Sequence, residues 1–333
     1  MFFRVTHSFR VGLIMCLFVW PQNAALAQSN EQQSVPSSSG SNASTKPDEV
    51  LLALHSTVSE VHLVFTVTDR HGHYVKNLEE NDFKILDDRK PPDTILSFHS
   101  ETNLPLRVGL LIDTSQSVRE HFKFEQEAAV QFLHQTLRQQ DQAFVIGFDA
   151  VPKVAQDFTD NLEKLSAGIH GLQTGTLTAM FDGVHYALNR LMKQPQTGPV
   201  RRIIILLSDG VDNSSSRTRA NTIEEANQAE VSVYTISTSM TKSGGRGQKT
   251  LASIADATGG RSYVPAQLAG VADAFAAIQE ELRSQYAVSY KPAAFELDGH
   301  YRTIEVRAQK RKDLRIRSRK GYRSVRRDYT STQ

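Results

Sequence analysis

Arg107-Val-Gly-Leu-Leu-Ile-Asp113-Thr-Ser115-Gln-Ser117 decides the fold, because an apolar run ends there on a carboxylate and gives way to helical spacing. Residues 107–113 are nearly all apolar, the pattern of a strand buried on both faces of a parallel sheet. From Val118 to Gln140 the spacing is helical, with Phe122, Ala129, Phe132 and Leu133 on one stripe. One carboxylate and two hydroxyls at alternate positions therefore stand at the carboxyl end of a strand, where open α/β sheets bind ligands. Their oxygens suit a hard cation such as Mg²⁺. An Asp or Ser ahead of a helix is also the ordinary N-cap, and this stretch alone leaves both readings open.

Two further segments bear on the choice. Arg202-Ile-Ile-Ile-Leu-Leu-Ser-Asp209-Gly210 is a second buried strand ending in an acid and a glycine. Between them, Thr176-Leu-Thr178-Ala-Met-Phe-Asp182-Gly-Val opens an amphipathic helix with Met180, Val184, Leu188 and Leu191 on its apolar side. Asp-x-Ser-x-Ser, then a Thr, then an Asp after an Ile-rich strand resembles the metal-ion-dependent adhesion site of von Willebrand factor type A domains. The resemblance covers residues 104–284 and implies a metal set of Asp113, Ser115, Ser117, Thr178 and Asp209. Thr178 is preferred to Thr176 because Thr178-Ala-Met-Phe-Asp matches the family's Thr-Ala-Leu-Tyr-Asp run.

The same resemblance implies Mg²⁺ or Mn²⁺ as the ion. It makes the Ser115 and Ser117 hydroxyls direct ligands and Thr178 a ligand directly or through water. Asp113 and Asp209 then act mainly through bound waters and hydrogen bonds that orient the hydroxyls. An inner ligand set rich in neutral oxygens leaves the ion's charge poorly compensated and favours an Asp or Glu carboxylate from a protein partner. That is binding, not catalysis. The alternative is a metal-dependent hydrolase or phosphatase on a similar sheet, which needs a base or nucleophile beside the metal. The nearest histidine in sequence is His121, with no evident partner, and the nucleophile elbow G-x-S-x-G is absent. Ser115 also stands where a haloacid-phosphatase-like Asp-x-Asp would carry its second aspartate.

The 333 residues, 39% of them apolar, suffice for one sizeable α/β domain and a smaller module. Residues 1–27 read as a secretory signal: Arg4 and Arg10, an apolar core from Val11 to Trp20, and Ala25-Leu-Ala27 as cleavage site. Cleavage after Ala27 sends the chain to a periplasm or out of the cell; an uncleaved anchor is the other outcome. The single cysteine, Cys16, lies inside this segment without a lipobox, so the mature chain has no disulfide. Residues 28–49, rich in Ser, Gln, Asn and Pro, read as a disordered linker that cannot bury enough apolar surface to offset its ordering entropy. Asn42-Ala-Ser and Asn213-Ser-Ser are expected to stay unmodified, because a resemblance to a secreted bacterial family, carried by Asn77 to Phe83 and by the late Arg-Lys-Gly-Tyr322, implies a bacterial host.

Residues 104–284 alternate strand and helix, which implies a doubly wound, mostly parallel sheet with helices on both faces. The strands are expected at Val108–Asp113, Ala143–Phe148, Lys153–Phe158, Ile203–Ser208, Val231–Ser237 and Ser262–Val264. The turn Asp149-Ala-Val-Pro makes the third of these an antiparallel edge. Thr250–Thr258 is expected to be a helix ended by Gly259-Gly260. Ser239 to Gln248 is Gly-rich but lacks both phosphate-loop arrangements, so a mobile loop is expected.

Short strands flank this region: Val61–Val67, Phe83–Leu86 and Thr94–Phe98 before it, Gln285–Tyr290, His300–Arg307 and Leu314–Arg319 after it. Each set is too small to stand alone. Residues 50–103 and 285–327 are therefore expected to pair into one β-module with the larger domain inserted between its halves, and 328–333 to form a tail. Asn77-Leu-Glu-Glu-Asn-Asp-Phe83 and the late Arg-Lys-Gly-Tyr322 resemble segments of a secreted bacterial family of von Willebrand factor A-related proteins. In related A domains the last helix shifts when ligand binds; here that helix, about Leu268 to Arg283, leads straight into the Tyr286 strand, so the resemblance implies that such a shift would pull on the β-module.

His71 and His73 read as a solvated turn without an acid at metal-ligating spacing. Removing the signal deletes two arginines and no acid, so the net charge of +2 falls to zero. Residues 301–327 are nonetheless basic, with Arg315, Arg317 and Arg319 on one strand face. That face either forms salt bridges with the acidic remainder or meets an anionic surface. Nucleic acid is the least favoured partner and none is expected, given the export signal and the little aromatic interleaving of the stripe.

Overall fold

The computed structural model describes residues 60–100, 104–195, 200–239, 244–293 and 295–324. The expected signal peptide, the linker and the tail lie outside these residues. In chain order the strands before the central sheet are β1 (Val61–Thr68), β2 (Phe83–Asp87) and β3 (Thr94–Ser100). The central region runs β4 (Leu106–Asp113), α1 (Phe122–Thr136), β5 (Gln142–Phe148), β6 (Pro152–Thr159), α2 (Leu162–His170), α3 (Met180–Lys193) and β7 (Arg201–Ser208). It continues with α4 (Arg219–Gln228), β8 (Val231–Ser237), α5 (Arg246–Thr258), β9 (Ser262–Tyr263) and α6 (Gly270–Leu282). Four strands close the chain: β10 (Gln285–Lys291), β11 (Tyr301–Ala308), β12 (Arg315–Ser318) and β13 (Gly321–Arg323).

The central sheet has the order β6-β5-β4-β7-β8-β9, parallel throughout except for the antiparallel edge β6. Alternation along β4 assigns its two faces. Leu110 and Ile112 pack with Phe122, Phe132 and Leu133 of α1 and Phe275 and Ile278 of α6. Leu111 packs on the other face with Met180, Val184, Leu188 and Leu191 of α3 and Leu251 and Ile254 of α5. Each fully buried Leu or Ile contributes roughly 1.5–3 kcal/mol, and these two layers supply most of the central core.

Helix α1 is shorter than its sequence pattern: a 3₁₀ turn at Gln116–Val118 precedes it, and the helix itself ends at Thr136. The Gly-rich stretch also differs from expectation. Arg246, Gly247 and Gln248 are the first turn of α5, while 240–243 lie outside the described residues. Gly259 ends α5 in the left-handed conformation, with φ of 82°, as its lack of a Cβ allows.

The flanking strands form two antiparallel sheets, β12-β1-β10-β3 and β13-β11-β2, around one core that includes Phe65, Phe83, Tyr286, Val288 and Ile304. The chain adds β13, which the sequence pattern did not reveal. Inside this module the buried Asp87 accepts hydrogen bonds from Tyr290 Oη (2.9 Å), Tyr322 Oη (2.8 Å) and Arg302 Nε (2.8 Å). Asp69 also modifies the reading of the His71–His73 turn, because its carboxylate accepts both histidine N–H groups and lies 3.3 Å from His73 Nδ1.

Of the three arginines expected on one strand face, Arg317 and Arg319 turn inward, whereas Arg315 is exposed. Arg317 pairs with Glu281 of α6, a residue with no exposed surface, and Glu281 also accepts hydrogen bonds from Tyr234 Oη (2.7 Å) and Tyr74 Oη (3.0 Å). Arg319 lies 3.4 Å from Glu230 and donates to the Asn227 and His62 carbonyls. These two side chains join the β-module to the central domain. No helix among the described residues is long and apolar enough to cross a membrane.

Candidate metal centre

Parallel register sets the height of the site. Asp113, the last residue of β4, lies opposite Phe148 on β5, and Ser208, the last residue of β7, lies opposite Ser237 on β8. The Ser208 hydroxyl donates to Asp113 Oδ2 at 2.7 Å and accepts the Gly210 N–H at 3.0 Å. Asp113 Oδ1 accepts the Ser115 N–H at 2.9 Å, so both of its oxygens are held. The Ser115 and Ser117 hydroxyl oxygens are 3.0 Å apart. Ser115 begins the 3₁₀ turn but makes no capping hydrogen bond through its side chain, and the residue that caps α1 is His121, also without one. The hydroxyls of the loop are thus not engaged in closing a helix.

Thr178 is buried, whereas Thr176 is exposed. Its segment is fixed from two sides. Gly175 N–H bonds to the Thr114 carbonyl and Ala179 N–H to that of Asp149. Thr178 N–H donates to Asn213 Oδ1 at 2.9 Å, and the N–H groups of Asn213 and Ser214 return to the Thr178 carbonyl. Asp209 Oδ1 accepts the Val211 N–H at 2.8 Å. Segments carrying Asp113, Thr178 and Asp209 therefore converge on one edge of the sheet.

The loop after β7 is stapled to the start of α3 by residues that sequence reading gave no role. Asp212 Oδ2 accepts the Phe181 N–H at 3.0 Å, Ser215 Oγ accepts that of Asp182, and the Asp182 carboxylate accepts the N–H groups of Ser216 and Arg217. Behind the loop, Gly210 (φ 79°) meets the α5 backbone so closely that a Cβ there would lie 2.3 Å from the Gly247 carbonyl oxygen. A Cβ on Gly247 would in turn lie 2.2 Å from the Asp209 carbonyl oxygen. Backbone-to-backbone contact at these glycines sets where Asp209 sits.

Electrostatics at this edge are unfavourable in the bare chain. Burial pushes the Asp113 carboxyl up to about 6, against opposing hydrogen bonds from Ser208 and Ser115, and the Asp209 charge adds to the rise. Glu125, on the buried side of α1, is pushed up to about 8 by burial first and then by Asp113 and Asp209. Both charges acting on Glu125 are negative. Carboxylates and hydroxyls gathered with no cationic side chain acting on Asp113 or Glu125 among the described residues fit a hard divalent ion. Among the described residues no group of three or more His, Cys, Asp or Glu could hold a metal, so any such ion would depend on Ser and Thr oxygens.

Residues 108–213 match the family model of the von Willebrand factor type A domain, and the chain carries such a domain. No curated protein matches the sequence. Among solved structures it is similar to a von Willebrand factor type A protein from Catenulispora acidiphila, at 13% identity and a TM-score of 0.45, covering 74% of this chain and 75% of that one. It is also similar to the PilB minor pilin from Streptococcus sanguinis (16% identity, TM-score 0.44, 55% of this chain), of which it spans 62%, less than two thirds. A third is the von Willebrand domain of the type V pili tip protein Mfa5 from Porphyromonas gingivalis, at 15% identity and a TM-score of 0.43, covering 54% and 95% of the two chains.

Proposed function

We propose that the chain is an exported binding module whose Asp113, Ser115, Ser117, Thr178 and Asp209 hold Mg²⁺ or Mn²⁺ and capture an acidic side chain of a protein partner. The observation that carries this reading is the Ser115–Ser117 hydroxyl pair, 3.0 Å apart, beside an Asp113 anchored at both oxygens. A bound ion would supply a Lewis-acidic position for a carboxylate. The chain's own part is positional. Ser208 and the Ser115 N–H fix Asp113, and Asn213 fixes the Thr178 backbone. Asp209 is held by Val211 and by the glycine contact behind it. No step of bond making is assigned to these residues.

Export, through cleavage after Ala27 into a periplasm or beyond the cell, belongs to the same reading. Pilin and pilus-tip proteins among the similar folds are compatible with an envelope or extracellular setting. An anionic surface is a weaker partner for the basic segment, since Arg317 and Arg319 are committed to Glu281 and Glu230.

Affinity capture from an envelope extract, with Mg²⁺ and with chelator, tests the proposal. Partner recovery should require the metal, and Asp113→Ala should abolish it. Capture unchanged by chelator and by Asp113→Ala overturns the reading. Metal-dependent turnover of esters or phosphoesters would favour the hydrolase alternative.

A further inference from the structure

Glu125 has no place in a purely structural account of α1. It lies on the buried stripe with Phe122, Ala129 and Phe132, and its exposed surface is 0%. Neither carboxylate oxygen has a hydrogen-bond partner among the described residues. A buried carboxylate is ordinarily paired or hydrogen-bonded, because leaving it bare forfeits its hydration. Here Asp113 and Asp209 are the charges that act on it, and both repel it. A second orphan stands close by in the fold. Thr238 Oγ1, just past β8, is buried without a partner among the described residues, while its own N–H bonds to the Ser208 carbonyl at 3.1 Å. Three unsatisfied buried oxygens, two on Glu125 on the α1 side and one on Thr238 on the β8 side, thus flank the Asp113–Ser208 pair.

An apolar residue at 125 would complete the α1 stripe at no electrostatic cost. An acid there is accounted for only when something cationic or a polarised water reaches it. We propose that Glu125 is a positioning residue of the metal centre, accepting hydrogen bonds from water held on a hydrated divalent cation and balancing that cation's charge from the α1 side. This rests on the reading that Asp113, Ser115, Ser117, Thr178 and Asp209 hold the ion. It adds a residue that the Asp-x-Ser-x-Ser pattern does not contain. Loss of a carboxylate that supports metal-bound groups weakens metal affinity by about 10–100-fold.

Mg²⁺ alone, titrated calorimetrically into the full chain, is the probe. Glu125→Gln keeps size and removes charge, and Glu125→Met removes the polar group as well. Both variants should bind Mg²⁺ at least about 10-fold more weakly than the parent, while their melting temperatures without metal stay level or rise as buried repulsion is removed. If both bind Mg²⁺ like the parent while Asp113→Ala does not, Glu125 has no part in the metal centre and the five-residue site stands. A fall in metal-free melting temperature with unchanged Mg²⁺ affinity gives Glu125 a structural role and overturns the proposal. If the parent and Asp113→Ala alike show no saturable Mg²⁺ binding, the site and the proposal fall together.

Discussion

Replacing Arg317 with Met isolates the buried ion pair that joins the two modules. The substitution keeps much of the side-chain volume but leaves Glu281, whose surface is fully buried, without its guanidinium. It also removes the donors to the Gly259 and Gly260 carbonyls. Tyr234 and Tyr74 still donate to Glu281, and Arg261, at 3.9 Å and partly exposed, is too remote to replace the lost charge. Breaking a buried pair by removing one partner costs about 3–5 kcal/mol, against a total stability of about 5–15 kcal/mol. For a chain of this size the melting temperature should fall by roughly 10 °C. The companion Glu281→Leu should cost a similar amount, since it strands Arg317 and two tyrosine hydroxyls. The double variant should lose far less than the sum, because both buried charges leave together. Calorimetric melting of the four proteins reads this coupling directly. A loss below about 1 kcal/mol for Arg317→Met, with additive behaviour in the double variant, would refute the assignment of the pair as a clamp.

Stability should depend on pH in the metal-free chain. Asp113 and Glu125 are pushed up to about 6 and about 8, so the folded chain keeps protons that the unfolded chain has released. Stability therefore falls as pH rises from about 4 through the folded values; melting temperatures should drop between pH 5 and 8, and a flat profile removes the basis for it. Asn213→Ala strips the acceptor from the buried Thr178 N–H and should cost about 1–3 kcal/mol while weakening Mg²⁺ binding; intact affinity would show that the Thr178 segment is held by Asp149 and Thr114 alone. Gly247→Val places a Cβ 2.2 Å from the Asp209 carbonyl oxygen, so the loop must move, with a loss of about 1–3 kcal/mol and of Mg²⁺ affinity measured calorimetrically.

The central sheet was legible because its strands are apolar runs that only a doubly covered sheet can bury, and the antiparallel edge followed from one short turn. The meeting of the Asp113, Thr178 and Asp209 segments follows from where parallel strands end. Ser208 was visible as a lone hydroxyl in an Ile-Leu run, but its partner is 95 positions away and no local pattern names it. Glu125 was visible in the same sense, an acid at helical spacing from Phe122 and Ala129. The fate of Arg317 and Arg319 was not legible. Alternation along a short strand says which residues share a face, not that α6 and the turn after α4 supply Glu281 and Glu230 against it. The short β13, a mere Gly-Tyr-Arg, is defined by its pairing with β11 and has no periodicity of its own.

The same clamp bears on whether binding at the metal edge reaches the β-module. Helix α6 packs its Phe275 on Phe132 of α1, with ring centroids 4.8 Å apart, and α1 begins just after the Ser115–Ser117 loop. A displacement of α6 along its axis would carry Glu281 away from Tyr74, Tyr234 and Arg317 together. Breaking that cluster costs about 3–5 kcal/mol, whereas site-to-site couplings are typically about 1–3 kcal/mol. The cost of breaking the cluster is larger than a typical coupling, so α6 should stay in place and β10 should not feel the metal. Hydrogen exchange of residues 285–290 is expected to be the same with and without Mg²⁺ in the parent chain. In Arg317→Met, where the clamp is weakened, the same residues should become metal-sensitive. Metal-dependent exchange at 285–290 in the parent would mean that the cluster yields to binding, and the energetic ordering inferred from its burial would be wrong.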